Sequence, residues 1–518
     1  MLARLLLTAC LVMTGLLSAT TASARELRMA FDDVPVTLDI QEQLSESALQ
    51  LANISFDPLI RWTRELSFEP RLATSFQRLD ENTVRFKLRK GVKFHSGNTM
   101  TAADFKWTFN RLRQSLDYKG IFARFAALNV IDDYTIDLVT NGPYPLVLQA
   151  ATYIFPLDSK FYTGTDVNGN DKAAIVKNGT SFASANLSGT GPFKVVSQAR
   201  GAKLVFERFT DYWDKDSPGN VTRIVFTPIK DEQIRVAALL AGDVDFIAPV
   251  SPNYFDQIRA SGNAQLFTAP GTRIITFQMN QERRPEFRDQ RVRMAIVHAI
   301  NNEAIVQKIM KGFATTAAQF SPPGYLGHNP KLKPRYDLEL AKKLMKDAGY
   351  ENGFSITMMA PNNRYVHDDE IARAVADMLA KINIKVDLKT VPRAQYWPLF
   401  DDRAADMMMI AWRPDTEDSA NFYEFLAMTP DKATYRGSYN SGNYSSEFVD
   451  SQTLKANQET DPARRAEMLQ AIETRIFQDA AFVPLHWQSL VWAARKGIKL
   501  DPVVNALNLP YLGDLVIE

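Results

Sequence analysis

The chain has 518 residues, 60 Lys and Arg against 59 Asp and Glu, with 46% hydrophobic and 23% charged residues. A formal balance of +1 offers neither the concentrated basic face that nucleic acid requires nor a polybasic handle for anionic lipid. The 24 Gly and 26 Pro, beside 31 Phe, 17 Tyr and 7 Trp, exclude collagen-like and disordered chains, and the length corresponds to roughly three or four domain-sized units.

Residues 1–24 read as a targeting segment. Arg4 precedes an apolar run from Leu5 to Leu17, and Ala22-Ser23-Ala24 has the small-x-small form of a signal-peptidase site. Cleavage is expected after Ala24. The run is shorter than the ~20 residues a membrane span needs. Cys10, the one cysteine, leaves with it, so the mature chain has no disulfide, no thiol nucleophile and no thiolate metal ligand.

The remainder reads as mixed α/β. Val84, Phe86 and Leu88 alternate with Arg85 and Lys87, the period of a half-buried strand. Thr101-Ala-Ala-Asp104 is a capping box, and Phe105, Thr108, Phe109 and Leu112 form the inner stripe of its helix. Residues 163–191, rich in Gly, Asn, Ser and Thr, read as loops. Asp231 to Ala241 reads as a helix closed by Gly242. Asp289 to Lys311 reads as one long helix ending at Gly312, and Asp337 caps another that stops at Gly349. Phe354 to Ala360 reads as a strand, followed by Pro361-Asn-Asn-Arg364 and a helix from near His367. Ile382, Ile384, Val386 and Leu388 alternate as a strand. Ala405 to Ala411 is a short buried strand, Asp461-Pro462 opens a helix, and Val483 to Ala494 is extended.

No phosphate loop, H-E-x-x-H, G-x-S-x-G or Rossmann glycine fingerprint occurs. The histidines, His95, His298, His328, His367 and His486, are scattered, and no two share metal-ligand spacing on one helix. Met407-Met408-Met409 could suggest a soft-metal cluster, but strand alternation points them to opposite faces, which favours core. An exported α/β chain without catalytic motifs tilts toward binding.

The stretch from Glu81 through Arg85-Phe-Lys-Leu-Arg-Lys-Gly91 to Gly97, followed by Thr101-Ala-Ala-Asp-Phe105, resembles the signature of the family 5 extracellular solute-binding proteins, the peptide- and nickel-binding components of ABC importers. Ser188-Gly-Thr-Gly-Pro-Phe193, Ala241-Gly-Asp-Val-Asp245, Asp289-Gln-Arg-Val-Arg293 with Ala299-Ile-Asn301, and Ala341 to Gly349 follow in family order. The resemblance implies a two-lobed clamp of three domains. Domain I would take residues 25–68, 188–275 and 488–518, and domain II 69–187, together forming lobe one. Domain III, 276–487, would be lobe two. It further implies a periplasmic monomer that captures short peptides or peptide-like zwitterions between its lobes. The ligand would pass to an inner-membrane permease complex, without covalent chemistry, cofactor, metal or nucleic acid.

Two positions can be argued physically. Arg364 follows one strand and Asp415 another, and open α/β sheets place ligands at the C-terminal ends of their strands. A guanidinium can hold a carboxylate and an aspartate an ammonium, a two-ended ruler for a zwitterion. In dipeptide-binding members an Arg after such a strand takes the ligand carboxylate, and an Asp three residues after a Trp takes the amino terminus. Arg364 and Asp415 match these positions. The structural alternatives are a solvated Arg364, or one bridging to Asp368 or Asp369, and an Asp415 that caps a turn. Trp412 could stack on the ligand or pack the lobe, and Arg413 could instead hold the anion. Peptide binders often continue with Asp-Pro after the Trp-x-x-Asp, where this chain has Asp418-Ser419. The rival ligands are a nickel chelate, with Arg413 and His486 as the residues to watch, and an opine or oligosaccharide stacked on Trp412. An exported hydrolase is the rival outside the binding class.

Overall fold

The computed structural model describes residues 25–518 apart from Asn178 and Asp415; the expected targeting segment, residues 1–24, lies outside the described residues. Eleven strands join in one mixed sheet that runs through both lobes. Its lobe-two end is parallel: Ile384–Val391 pairs with Phe354–Pro361, which pairs with Met407–Trp412. The lobe-one end has Phe246–Ala248, Glu26–Phe31 and Arg223–Pro228 in parallel register, continued antiparallel by Lys203–Arg208 and Phe193–Ala199. A separate four-stranded antiparallel sheet, Ala73–Arg78, Thr83–Leu88, Thr135–Thr140 and Phe125–Asp132, builds the rest of lobe one.

Two long antiparallel strands join the lobes, Ala264–Met279 and Phe482–Arg495. Their ladder is interrupted between Ala269 and Arg273, where Pro270, which has no N–H to donate, and Gly271 interrupt the pairing. A Cβ on Gly271 would lie 2.1 Å from the Gln488 carbonyl oxygen, so only glycine allows this approach of the two backbones. Arg273 resumes the ladder opposite Gln488.

The cores follow the same division. Leu27, Phe31, Phe56, Phe193, Phe226 and Trp492 share one apolar cluster, and Phe86, Phe105, Phe109, Phe122 and Leu138 share another. In lobe two Met407 and Met409 pack on one face of their strand and Met408 on the other, in two different clusters, so the methionine run is core.

Most expected elements are present. The helix Ala102–Leu112 has its capping box, with the Thr101 N–H donating to Asp104 Oδ2 at 2.8 Å, and Phe105, Thr108, Phe109 and Leu112 are buried. Asp231 caps Glu232–Ala241, which ends at Gly242 with φ 81°. Asp337 caps Leu338–Asp347, and Asp461 caps Pro462–Asp479. The long helix from Asp289 to Lys311 is a correction. Gln290–Ala299 ends at an extended Ile300, and Asn301 starts a new segment by accepting from the Ala304 N–H. Asn302 donates to the Ala317, Pro484 and Leu485 carbonyls at 2.8–3.0 Å. These buried hydrogen bonds to strand carbonyls replace the continuous helical ladder that the apolar pattern suggested.

Candidate functional site

A cavity of about 410 Å³ lies where the lobes meet, within the ~300–1,000 Å³ range of small-ligand sites. It is lined by Leu44 and Glu46, Tyr153 and the turn with Leu507 and Leu509, which the expected division gives to lobe one, by Arg364, Tyr365, Trp397 and the segment around Trp412, which it gives to lobe two, and by Arg273 from the strand Ala264–Met279.

Arg364 reaches this wall because its loop is pinned from behind. The Asp368 carboxylate, buried at the start of the helix Asp368–Ala380, accepts from the main-chain N–H of Arg364 and of Tyr365 at 2.8 and 2.9 Å. Asp368 therefore holds the backbone of Arg364, and the expected alternative, a bridge from its guanidinium to Asp368 or Asp369, is not formed. The guanidinium lies 5.3 Å from the Tyr365 ring centroid, and its Nε is buried without a hydrogen-bond partner.

Trp412 ends the strand Met407–Trp412. Its indole N–H donates to Asn421 Oδ1 at 2.8 Å, and its rings pack on Tyr439 and Phe425 with centroids 4.7 and 5.4 Å away. It is held as a rigid apolar wall that is still partly open to the cavity.

Arg413 is already engaged. Its Nε and one Nη donate to Glu417 Oε1 at 3.1 and 2.9 Å, the same Nη donates to the Leu507 carbonyl across the cleft at 3.3 Å, and Glu46 stands 3.8 Å away. Burial works against its charge, but Glu417 and Glu46 more than offset this and raise its pKa. Glu417 also accepts from the Tyr325 hydroxyl. Arg413 is thus a strut between lobes more than an open anion anchor.

Asp418, at the end of the same loop, forms a bidentate pair with Arg465 at 2.6 and 2.7 Å, both side chains 3% exposed, and caps Ser419–Phe422. The residue that departs from the common pattern is Ser419, whose hydroxyl accepts from the Gly327 N–H at 2.9 Å, a bond that proline could not offer. Asp415 lies outside the described residues. His486 is fully buried opposite Ile275 and Thr316, outside the cavity lining, and burial lowers its pKa to about 3. That removes it from the ligand set of the nickel alternative. Among the described residues no group of three or more His, Cys, Asp or Glu is placed to hold a metal ion.

The sequence model of the bacterial extracellular solute-binding proteins, family 5 Middle, matches residues 67–433. The chain belongs to this family. A glutathione-binding protein GsiB from Escherichia coli O1:K1 / APEC is 24% identical over 500 residues, 94% of each chain. The solved DppA of Helicobacter pylori, in complex with the peptide STSA, superposes with a TM-score of 0.70 at 25% identity, over 95% of this chain and 98% of that one. The unliganded open form of the murein tripeptide-binding protein MppA superposes with a TM-score of 0.80 at 22% identity, over 96% and 98%.

Within the family 5 frame, two lining residues escaped the sequence reading. Glu46 sits in the first turn of Glu46–Ser55, capped by Ser45, and only the fold brings it against a segment more than 300 residues away. Enclosure raises its pKa, opposed by the Arg413 charge and a hydrogen bond from Asn508. Arg273 had a legible signal, a lone cation within Gly-Thr-Arg-Ile-Ile, which no solvent-facing strand period explains.

Proposed function

We propose that this chain is the ligand-capturing component of an ABC importer, and that short peptides or peptide-like zwitterions are its ligands. The observation that carries the reading is Arg364: a strand-end guanidinium, free of carboxylate partners among the described residues, on the wall of a partly open interlobe cavity. A ligand carboxylate can satisfy it with two parallel hydrogen bonds. Asp415 takes the ligand ammonium in this reading, and Trp412 supplies an apolar wall. The relatives support it, one being named for glutathione and another solved with a bound peptide.

The same proposal divides the chain into lobe one (25–68, 69–187, 188–275 and 488–518) and lobe two (276–487). Closure of the lobes buries the ligand. Residues 1–24 are removed on export, the mature monomer works in the periplasm, and an inner-membrane permease complex receives the cargo. No covalent step is involved.

The test is native mass spectrometry of protein purified gently from the periplasm. A heterogeneous set of small peptides released on denaturation is expected, and a nickel isotope pattern or one homogeneous sugar mass overturns the reading. Asp415→Ala is expected to weaken peptide binding several-fold or more, because an ammonium in a closed cleft loses its counter-charge. Unchanged affinity by calorimetry removes Asp415 from the site.

A further inference from the structure

Three arginines line the cleft, and among the described residues only Arg413 has a carboxylate partner. Arg273 and Arg364 make no ion pair and no side-chain hydrogen bond with another described residue, although both face the same cavity of about 410 Å³. Arg273 stands where the ladder resumes after the Pro270-Gly271 interruption, at the junction of the lobes. Burial, and then the Arg364 and Arg413 charges, lower its pKa, and the Glu46 charge, which makes no ion pair with it, offsets this only in part. A cation held in an enclosed site beside two others, without its own carboxylate, is costly unless an anion arrives. One terminal carboxylate satisfies Arg364 and leaves Arg273 unmet.

The described carboxylates do not fill that gap. Glu417 is consumed by Arg413 and Tyr325. Glu46 leans to Arg413 and accepts from Asn508. We propose that the cleft selects ligands carrying a second anionic group besides the terminal carboxylate, such as peptides with an acidic side chain, and that Arg273 reads that group. This rests on the peptide reading above and sharpens it from peptides in general to acidic ones. Removing Arg273 then removes discrimination, since a peptide amide cannot offer the two charged acceptors that a guanidinium pairs with.

The experiment is calorimetry of the mature protein with Ala-Glu, Ala-Gln and Ala-Ala, each also as the tripeptide extended by an N-terminal Ala. Binding of the Glu peptide about tenfold or more tighter than its Gln counterpart is expected. Arg273→Gln is expected to collapse that ratio to within about twofold, and Arg273→Lys, which keeps the charge but loses the fork, to retain only part of it. Equal affinity for Glu and Gln peptides on the wild type overturns the inference while the peptide reading stands, and needs no variant to fold. A preference that survives Arg273→Gln overturns the assignment to Arg273. No heat with any of the six peptides, Ala-Ala included, sinks the peptide reading and this inference with it.

Discussion

Arg465 and Arg364 both border the segment that follows Trp412, one paired with its Asp418 and the other lining the cavity with Trp412 and Arg413. Arg465 is buried, with both nitrogens of its fork on Asp418 and a third bond to the Ala456 carbonyl. Arg364 lies on the cavity side, its main chain pinned by Asp368 while its guanidinium is left without a carboxylate among the described residues. The two have the same chemistry and are enclosed to different ends. Where the protein supplies the counter-charge, the arginine fixes a loop; where it withholds it, the arginine is left able to take one from a ligand, as the proposed function requires. Arg413 is intermediate, bound to Glu417 yet reaching the Leu507 carbonyl of the other lobe.

The largest effect that would sharpen this contrast is on Arg465. Arg465→Met strands Asp418 as an uncompensated buried charge and is expected to cost about 3–5 kcal/mol of stability, read by denaturant unfolding. A loss below about 1 kcal/mol would place Arg465 with the cavity arginines instead. Arg364→Met should do the reverse. It is expected to weaken peptide binding by about 30- to 100-fold, of order 2–3 kcal/mol, while stability changes by no more than about 0.5 kcal/mol. A stability loss matching that of Arg465→Met would erase the distinction.

An effect of a different kind, spread over pH, comes from buried groups that have no counter-charge among the described residues. Burial holds His486 at a pKa of about 3 and, against a hydrogen bond to the Gly191 carbonyl, His95 at about 4, both below the ordinary 6.5. In the unfolded chain each takes up its proton near pH 6.5, whereas the folded chain keeps both neutral. The unfolded state therefore binds more protons in this window. Stability is expected to fall as pH drops from 6.5 toward 4, by about 1.4 kcal/mol per pH unit for each histidine at the steepest. Unfolding measured at pH 7 and pH 5 should show the slope, and His486→Leu should remove part of it. A pH-independent midpoint over this range would refute the assignment.

Much of the scaffold was legible because it is local. Alternation located Thr83–Leu88 and Ile384–Val391, caps located three helix starts, and the strand-then-loop order put Arg364 and Asp415 just past strand ends; Arg364 lines the cavity, and Asp415 lies outside the described residues. The break at Ile300 was not legible, because the apolar pattern runs through it. Its cause is the set of Ala317, Pro484 and Leu485 carbonyls, which tertiary structure brings to Asn302. Glu46 was hidden for the same reason, since nothing near it in sequence predicts a cavity. The roles of Arg413 and Arg465 depended on which carboxylates came within reach, Glu417 four residues away and Asp418 forty-seven away. Residue type alone cannot tell a paired arginine from an unpaired one.

The interrupted ladder between Ala269 and Arg273 has a mechanical consequence. In the proposed division two strands are the covalent strap between the lobes, and their ladder is hydrogen-bonded on both sides of the gap. Torsion applied to one lobe is therefore concentrated in about three residues, like the thinned section of a flexure pivot. Each lobe acts as a lever arm, so a few degrees of twist at Gly271 become a much larger sweep at the rim. A pair of fluorophores for reporting ligand capture belongs on the two rims, far from the pivot, where displacement is amplified and the cleft is left untouched.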